Sequence, residues 1–160
     1  MVEKVTALMI EFFGRDARRI HHFLKVYGFA RTIARAEGLD GELLSVIELA
    51  ALSHDIGIKP SEEKYGSSAG HYQEIEGPAP ARELLAKAGC AQDMIERVAW
   101  LIAHHHSYSS VKDIDHQVLV EADYLVNIHE DEIGPAEVAS VREKVFKTRT
   151  GFMFLDQIYG

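Results

Sequence analysis

The chain has one cysteine, Cys90, and four prolines in 160 residues. A single thiol excludes an internal disulfide and any thiolate-based zinc cluster, and it fits a reducing compartment, so a cytoplasmic location is expected. Long apolar runs are missing too: each is broken within about a dozen residues, short of the roughly 20 that a spanning helix needs. The N-terminus MVEKVTALMIEFFGRD lacks the layout of a signal peptide, so no membrane role is expected. Positive charge is also scarce, 17 Lys and Arg against 25 Asp and Glu, for a net charge of -8. That balance excludes an affinity built on neutralising the many phosphates of a nucleic-acid polymer, while leaving room for a local basic pocket around a small anion. Internal repeats are absent.

What is present is an ordinary globular composition, 47% apolar and 26% charged, in a length that suits one domain over residues 1–160. Apolar residues recur at helical spacing almost everywhere and sustained alternation is missing, so the chain reads as all-α. Val2, Val5, Leu8, Met9, Phe12 and Phe13 form an amphipathic helix ended by Gly14. Asp16 is placed to cap a second helix over about 17–37, and Asp40 a third that runs through LLSVIELAALSHDI to Gly57. Residues 57–77, polar and rich in glycine and serine, read as a long loop. Helices are then expected from Pro78 or Pro80 to Gly89, over about 92–104 and 115–130, and from Gly134-Pro135 onward, followed by a short aromatic tail, GFMFLDQIYG.

The third helix poses a question, because its apolar run ends in His54-Asp55, two groups that are costly to bury without a partner. Three sets of partners stand out. His22 shares a helix face with Val26, Ala30 and Ile33, at spacings of four, four and three. His104, His105 and His106 follow the apolar turn WLIA. Asp123 lies within VLVEADYLVNI, a run otherwise apolar except for Glu121 and Asn127. Together His22, His54, Asp55, a histidine near 105 and Asp123 make a nitrogen and oxygen donor set without sulfur, which suits iron, manganese, cobalt, nickel or zinc.

The order histidine, histidine-aspartate, aspartate, each on its own helix, resembles the HD-domain superfamily of metal-dependent phosphohydrolases. The resemblance covers about residues 17–150 and rests on H22-x-x-K-V26-x-x-x-A30, ALSHDIG at 51–57, LIAHHH at 101–106 and LVEADYLVNI at 119–128. It implies a single-domain helical bundle in which His22, His54, Asp55 and Asp123 bind one metal. In the two-metal subgroup, His71 and His105 or His106 would complete a second site. Where relatives often carry a further histidine, four residues before Gly77, this chain has Gln73, with Glu74 and Glu76 nearby. Lys59 in HDIGIKP is out of place for the HDIGK form of the cyclic-dinucleotide phosphodiesterases, and HHHSYSS lacks their GYP signature, so that subgroup is not assigned.

The implied activity is hydrolysis of a phosphomonoester or phosphodiester of a small metabolite, a nucleotide above all, by water activated on one or two metal ions, with His54 and Asp55 as the catalytic pair. Lys59, Lys64, Ser67 and Ser68 of the expected loop, together with Lys25, are candidates to hold phosphate. Two other readings use the same residues: a di-iron oxygenase of this fold, and a nucleotide-binding regulatory module without turnover. His21, His116, His129 and the glutamates of SEEK and HEDE are expected to be solvated. Trp100 is expected in the core and Cys90 without redox consequence.

Overall fold

The computed structural model describes residues 1–108 and 111–160; Ser109 and Ser110, at the end of the HHHSYSS stretch, lie outside the described residues. Among the described residues there are helices and no strands. In chain order they are α1 (Val2–Phe13), α2 (Ala17–Ala36), α3 (Gly41–Ser53), a 3-10 turn (His54–Gly57), α4 (Ile58–Tyr65) and α5 (Gly70–Glu76). There follow α6 (Pro78–Ala88), α7 (Gln92–Ile102), α8 (Ile114–Glu130), α9 (Pro135–Lys144) and α10 (Arg149–Tyr159). No helix among the described residues is long and apolar enough to cross a membrane.

The all-α expectation holds, and so do most of the helix ends. The Asp16 carboxylate accepts a hydrogen bond from the Arg19 amide at 3.1 Å, capping α2. On α2 the buried face is His22, Phe23, Val26, Ala30, Ile33 and Ala34, the stripe that its spacing requires. α3 buries almost every residue from Leu44 to Ser53 and packs against α1, α2, α7 and α8. It is the axis of the core. Leu49, Leu52, Phe23, Leu101 and Leu119 are fully buried around it, each contributing about 1.5–3 kcal/mol of transfer free energy.

Several expectations need correction. Asp40 precedes α3, but its side chain makes no capping bond, and the chain enters the helix through Gly41 at φ +55. The stretch 57–77 is not one loop but two short helices, α4 and α5, separated by a left-handed Gly66. They bury only Ile58, Ser61 and Gln73 between them, so the periodic apolar signal of a helix is too weak to read. Pro60 sits in the first turn of α4, where its missing N–H leaves no hydrogen bond unmade. The aromatic tail is a helix as well, capped by the Thr148 side chain, which accepts from the Gly151 amide. Trp100 is 37% exposed rather than in the core, with the Arg97 guanidinium 4.7 Å above its ring. His116 is fully buried, not solvated, and its Nε2 lies 2.9 Å from the His104 carbonyl.

Candidate metal centre

The helix α3 ends at Ser53, where φ -117 and ψ 1 leave the helical region, and the chain tightens into the 3-10 turn. The turn brings two consecutive side chains to one point, with His54 Nε2 3.5 Å from Asp55 Oδ1. Gly57 closes the turn against α5: a Cβ there would lie 2.5 Å from the Gln73 carbonyl, so only glycine lets α5 approach. α2 brings His22 from one side and α8 brings Asp123 from the other, since both helices pack on α3.

The donors converge. His22 Nε2 is 3.2 Å from His54 Nε2, 3.2 Å from Asp123 Oδ1 and 3.4 Å from Asp55 Oδ2, and His54 Nε2 is 3.5 Å from Asp123 Oδ1. Separations of this size are what ligand atoms adopt around a single ion at about 2.0–2.2 Å each. Asp123 Oδ1 is buried and, despite these short contacts, completes no hydrogen bond. Its neighbours share a centre with it instead of pointing at it.

The outer edges of the rings are tied in the sense that metal ligation needs. His54 Nδ1 lies 2.9 Å from the Ala51 carbonyl and His105 Nδ1 2.7 Å from the Ile102 carbonyl. His22 Nδ1 donates to Glu130 Oε2 at 2.9 Å. A ring whose Nδ1 proton is held in this way can turn the lone pair of its Nε2 inward to an ion. The Nε2 of His105 is buried, has no hydrogen-bond partner and lies 3.8 Å from Asp55 Oδ1.

Electrostatics give the same requirement. Burial would lower the His22 pKa, but the close approach of the Asp123 carboxylate and the charge of Asp55 outweigh it and raise it from 6.5 to about 9. His54 is raised as well, against the effect of its own burial, by Asp55 and Asp123. Burial opposes ionisation of both aspartates, yet the facing histidines hold Asp55 and Asp123 well below the usual carboxylate range. Two buried carboxylates at this spot demand positive charge. Protons supply it in the metal-free protein, and a bound cation can supply it in their place, so the residues present fit a metal.

A cavity of about 340 Å³ opens over the cluster, lined by Arg18, Arg19, His22, Asp55, Gln73, His106, Asp123, Asn127 and Glu130 among others. His106 is kept neutral, its pKa pushed down to about 4 by burial and the neighbouring His105. The His106 amide and the Ser107 hydroxyl donate to Glu74 at 3.1 and 3.0 Å, pinning this turn to α5.

The structure thus brings together His22, His54, Asp55, Asp123 and His105, with His106 on the same cavity wall. His71 is exposed on α5, its ring 3.9 Å from that of Tyr72, and is not part of the cavity lining. The phosphate-binding candidates scatter. Lys59 donates to the Phe12 carbonyl at 3.3 Å, and Lys64 pairs with Glu76 at 2.7 Å, tying α4 to α5. The Ser67 hydroxyl accepts from the Ala69 amide; only Ser68 lines the cavity. Lys25 is engaged by Glu130.

Sequence reasoning missed Arg18, Arg19, Gln73 and Glu130. Glu130, one of the glutamates expected to be solvated, is half-buried and holds both His22 and Lys25. A signal for it existed, because Asp123, Asn127 and Glu130 follow at spacings of four and three and share a face of α8.

Residues 19–128 match the HD-domain family model. Among solved structures the chain is similar to that of a predicted HD superfamily hydrolase from an uncultured Thermotogales bacterium. The two are 26% identical with a TM-score of 0.70, over 98% of this chain and 84% of that one. No curated protein matches the sequence. With the family pattern spanning well over half of its length and its histidines and aspartates gathered at one point, the chain belongs to the HD-domain family, a family of metal-dependent hydrolases.

Proposed function

We propose that the protein hydrolyses a phosphate ester of a small metabolite, a nucleotide above all, with the cluster of His22, His54, Asp55 and Asp123 holding a divalent ion. The observation that carries this reading is that two arginines, Arg18 and Arg19, are among the residues lining the cavity that contains the convergent donors. A phosphate oxygen at the cluster would have a planar cation within the same small space. When bound, the ion lowers the pKa of a coordinated water and polarises a phosphoryl oxygen.

The chain's own groups supply the rest. Asp55 offers carboxylate oxygens next to two imidazoles and is the natural acceptor for a proton leaving water. Neutral His106 and Gln73, whose buried Oε1 has no partner, can hydrogen-bond a substrate or its water across the cavity. Arg18 and Arg19 are already paired with Asp131 and with Asp16 and Glu62, so they stay at the rim and are oriented before substrate arrives.

The test is hydrolysis of a panel of nucleoside monophosphates and sugar phosphates with and without added Mn, Co, Ni, Zn or Fe(II). Metal-dependent phosphate release that disappears in His54→Ala and Asp123→Ala is expected. Release unchanged in both variants would overturn the reading. A second reading, a di-iron oxygenase, draws on the partnerless buried Nε2 atoms of His105 and His106, which could serve another ion. Two irons per chain with substrate-dependent oxygen uptake would favour it; one ion per chain and no uptake would remove it.

A further inference from the structure

Within the phosphohydrolase reading, we propose that a second cavity, between α8 and α9, holds a planar ring carried by the substrate, of the nucleobase kind. The cavity over the metal-ligating cluster has a single apolar residue on its wall, Ile58. Such a wall suits ions and phosphate and offers a ring little apolar surface. The second cavity, about 800 Å³, offers more apolar surface and lies within the usual size of small-molecule sites, about 300–1,000 Å³. Tyr108, Tyr124, Val141 and Val145 supply its apolar wall, and the rest of the lining is polar or charged, with Ser140 and Lys144 able to read the edge of a ring.

Three features connect this space to the reaction centre. His106 lines both cavities, and its Nδ1 lies 3.2 Å from the Tyr108 hydroxyl. Asp123 and Tyr124 are consecutive on α8, and one lines each cavity. The helix α9 buries only Val141 of its ten residues, whereas a helix seated directly on the core would bury a full stripe. The room beneath it is the cavity.

The two tyrosines favour a planar occupant. Their ring centroids are 5.0 Å apart with planes inclined by 54°, so neither covers the other's face. A ring stacked on the free face of one would lie parallel to it and inclined to the other. A molecule with phosphate at the metal side and a ring at the tyrosine side would span the residue that both cavities share.

The test is steady-state hydrolysis of nucleoside 5′-monophosphates and of glycerol phosphate by the metal-loaded full chain and by Tyr124→Ala and Ser140→Trp, with melting curves to confirm folding. Expected is a rise in KM of tenfold or more for the nucleotides in both variants, with glycerol phosphate changed less than twofold. Equal loss on both substrates, or no loss on either, would overturn the proposal. If the wild type hydrolyses neither substrate, the phosphohydrolase reading fails, and the cavity is judged by saturation-transfer NMR with the free nucleosides. Binding that Ser140→Trp abolishes would sustain the ring site, and no binding would sink it as well.

Discussion

Two carboxylates on α8, Glu121 and Asp123, are both buried, lie two residues apart in one apolar run, and have opposite surroundings. Glu121 is saturated: its Oε1 accepts from the Gln117 side chain at 2.7 Å and from the Lys147 and Thr148 amides at 2.6 and 2.9 Å, while its Oε2 accepts from the Thr148 hydroxyl. Asp123 meets two imidazoles instead, with Oδ1 left without a hydrogen bond. The first arrangement is complete as it stands and anchors the chain entering α10. The second is complete only with a cation. A buried carboxylate therefore announces function through what its surroundings leave unsatisfied, more than through its burial.

The sharpest way to break this comparison is to remove each carboxylate in turn. Asp123→Ala is expected to lower metal-dependent hydrolysis on the order of a thousandfold or more, about 4 kcal/mol of transition-state stabilisation, and to empty the site by elemental analysis. Glu121→Ala is expected to retain its metal but to lose about 2–4 kcal/mol of stability in urea unfolding, because four donors would lose this acceptor and only the Gln117 side chain keeps another, the Val145 carbonyl. If Glu121→Ala lost metal while staying folded, the division of roles between the two would be wrong.

A smaller effect should come from the outer carboxylate. Glu130→Gln is expected to weaken metal binding about 10–100-fold by competition with a fluorescent chelator, since Glu130 orients His22 through Nδ1. Unchanged affinity would make Glu130 a partner of Lys25 alone.

The smallest expected effect is a dependence on pH. The His22 pKa is raised from 6.5 to about 9 in the metal-free fold. Its stabilising contribution is then complete below pH 6.5 and is lost as pH rises through 9. Chelator-treated protein should melt roughly a few degrees lower at pH 9 than at pH 6.5. Metal-loaded protein should change in the opposite sense over that window, because ligation requires the bare nitrogen. Parallel pH profiles for the two forms would mean that the ion binds away from His22.

The legible part of the fold was the part with strong local periodicity. α2 was readable because its apolar residues recur every three or four positions and α3 because it is apolar nearly all round, and the polar exceptions, His22 in the α2 stripe, His54 just past α3 and Asp123 in the apolar run of α8, were readable against that background. α4 and α5 escaped notice because helices that bury three side chains between them carry polar sequences. The assignment of phosphate contacts to Lys59 and Lys64 followed from reading that region as an open loop. As helices, the same residues are committed to Phe12 and Glu76.

The inward-facing histidines and aspartates follow from the order of residues alone, since a polar group in an apolar helical stripe is a local feature, and the chemistry of such groups calls for a cation. Tertiary packing decided their company. His22 and Glu130 are 108 residues apart, and Arg19 and Glu62 are 43 apart. No spacing along the chain encodes which helix ends will meet. Close approach at Gly57, the seating of α2 and α8 on α3, and the gap beneath α9 set those meetings, and with them the walls that would tell one substrate from another.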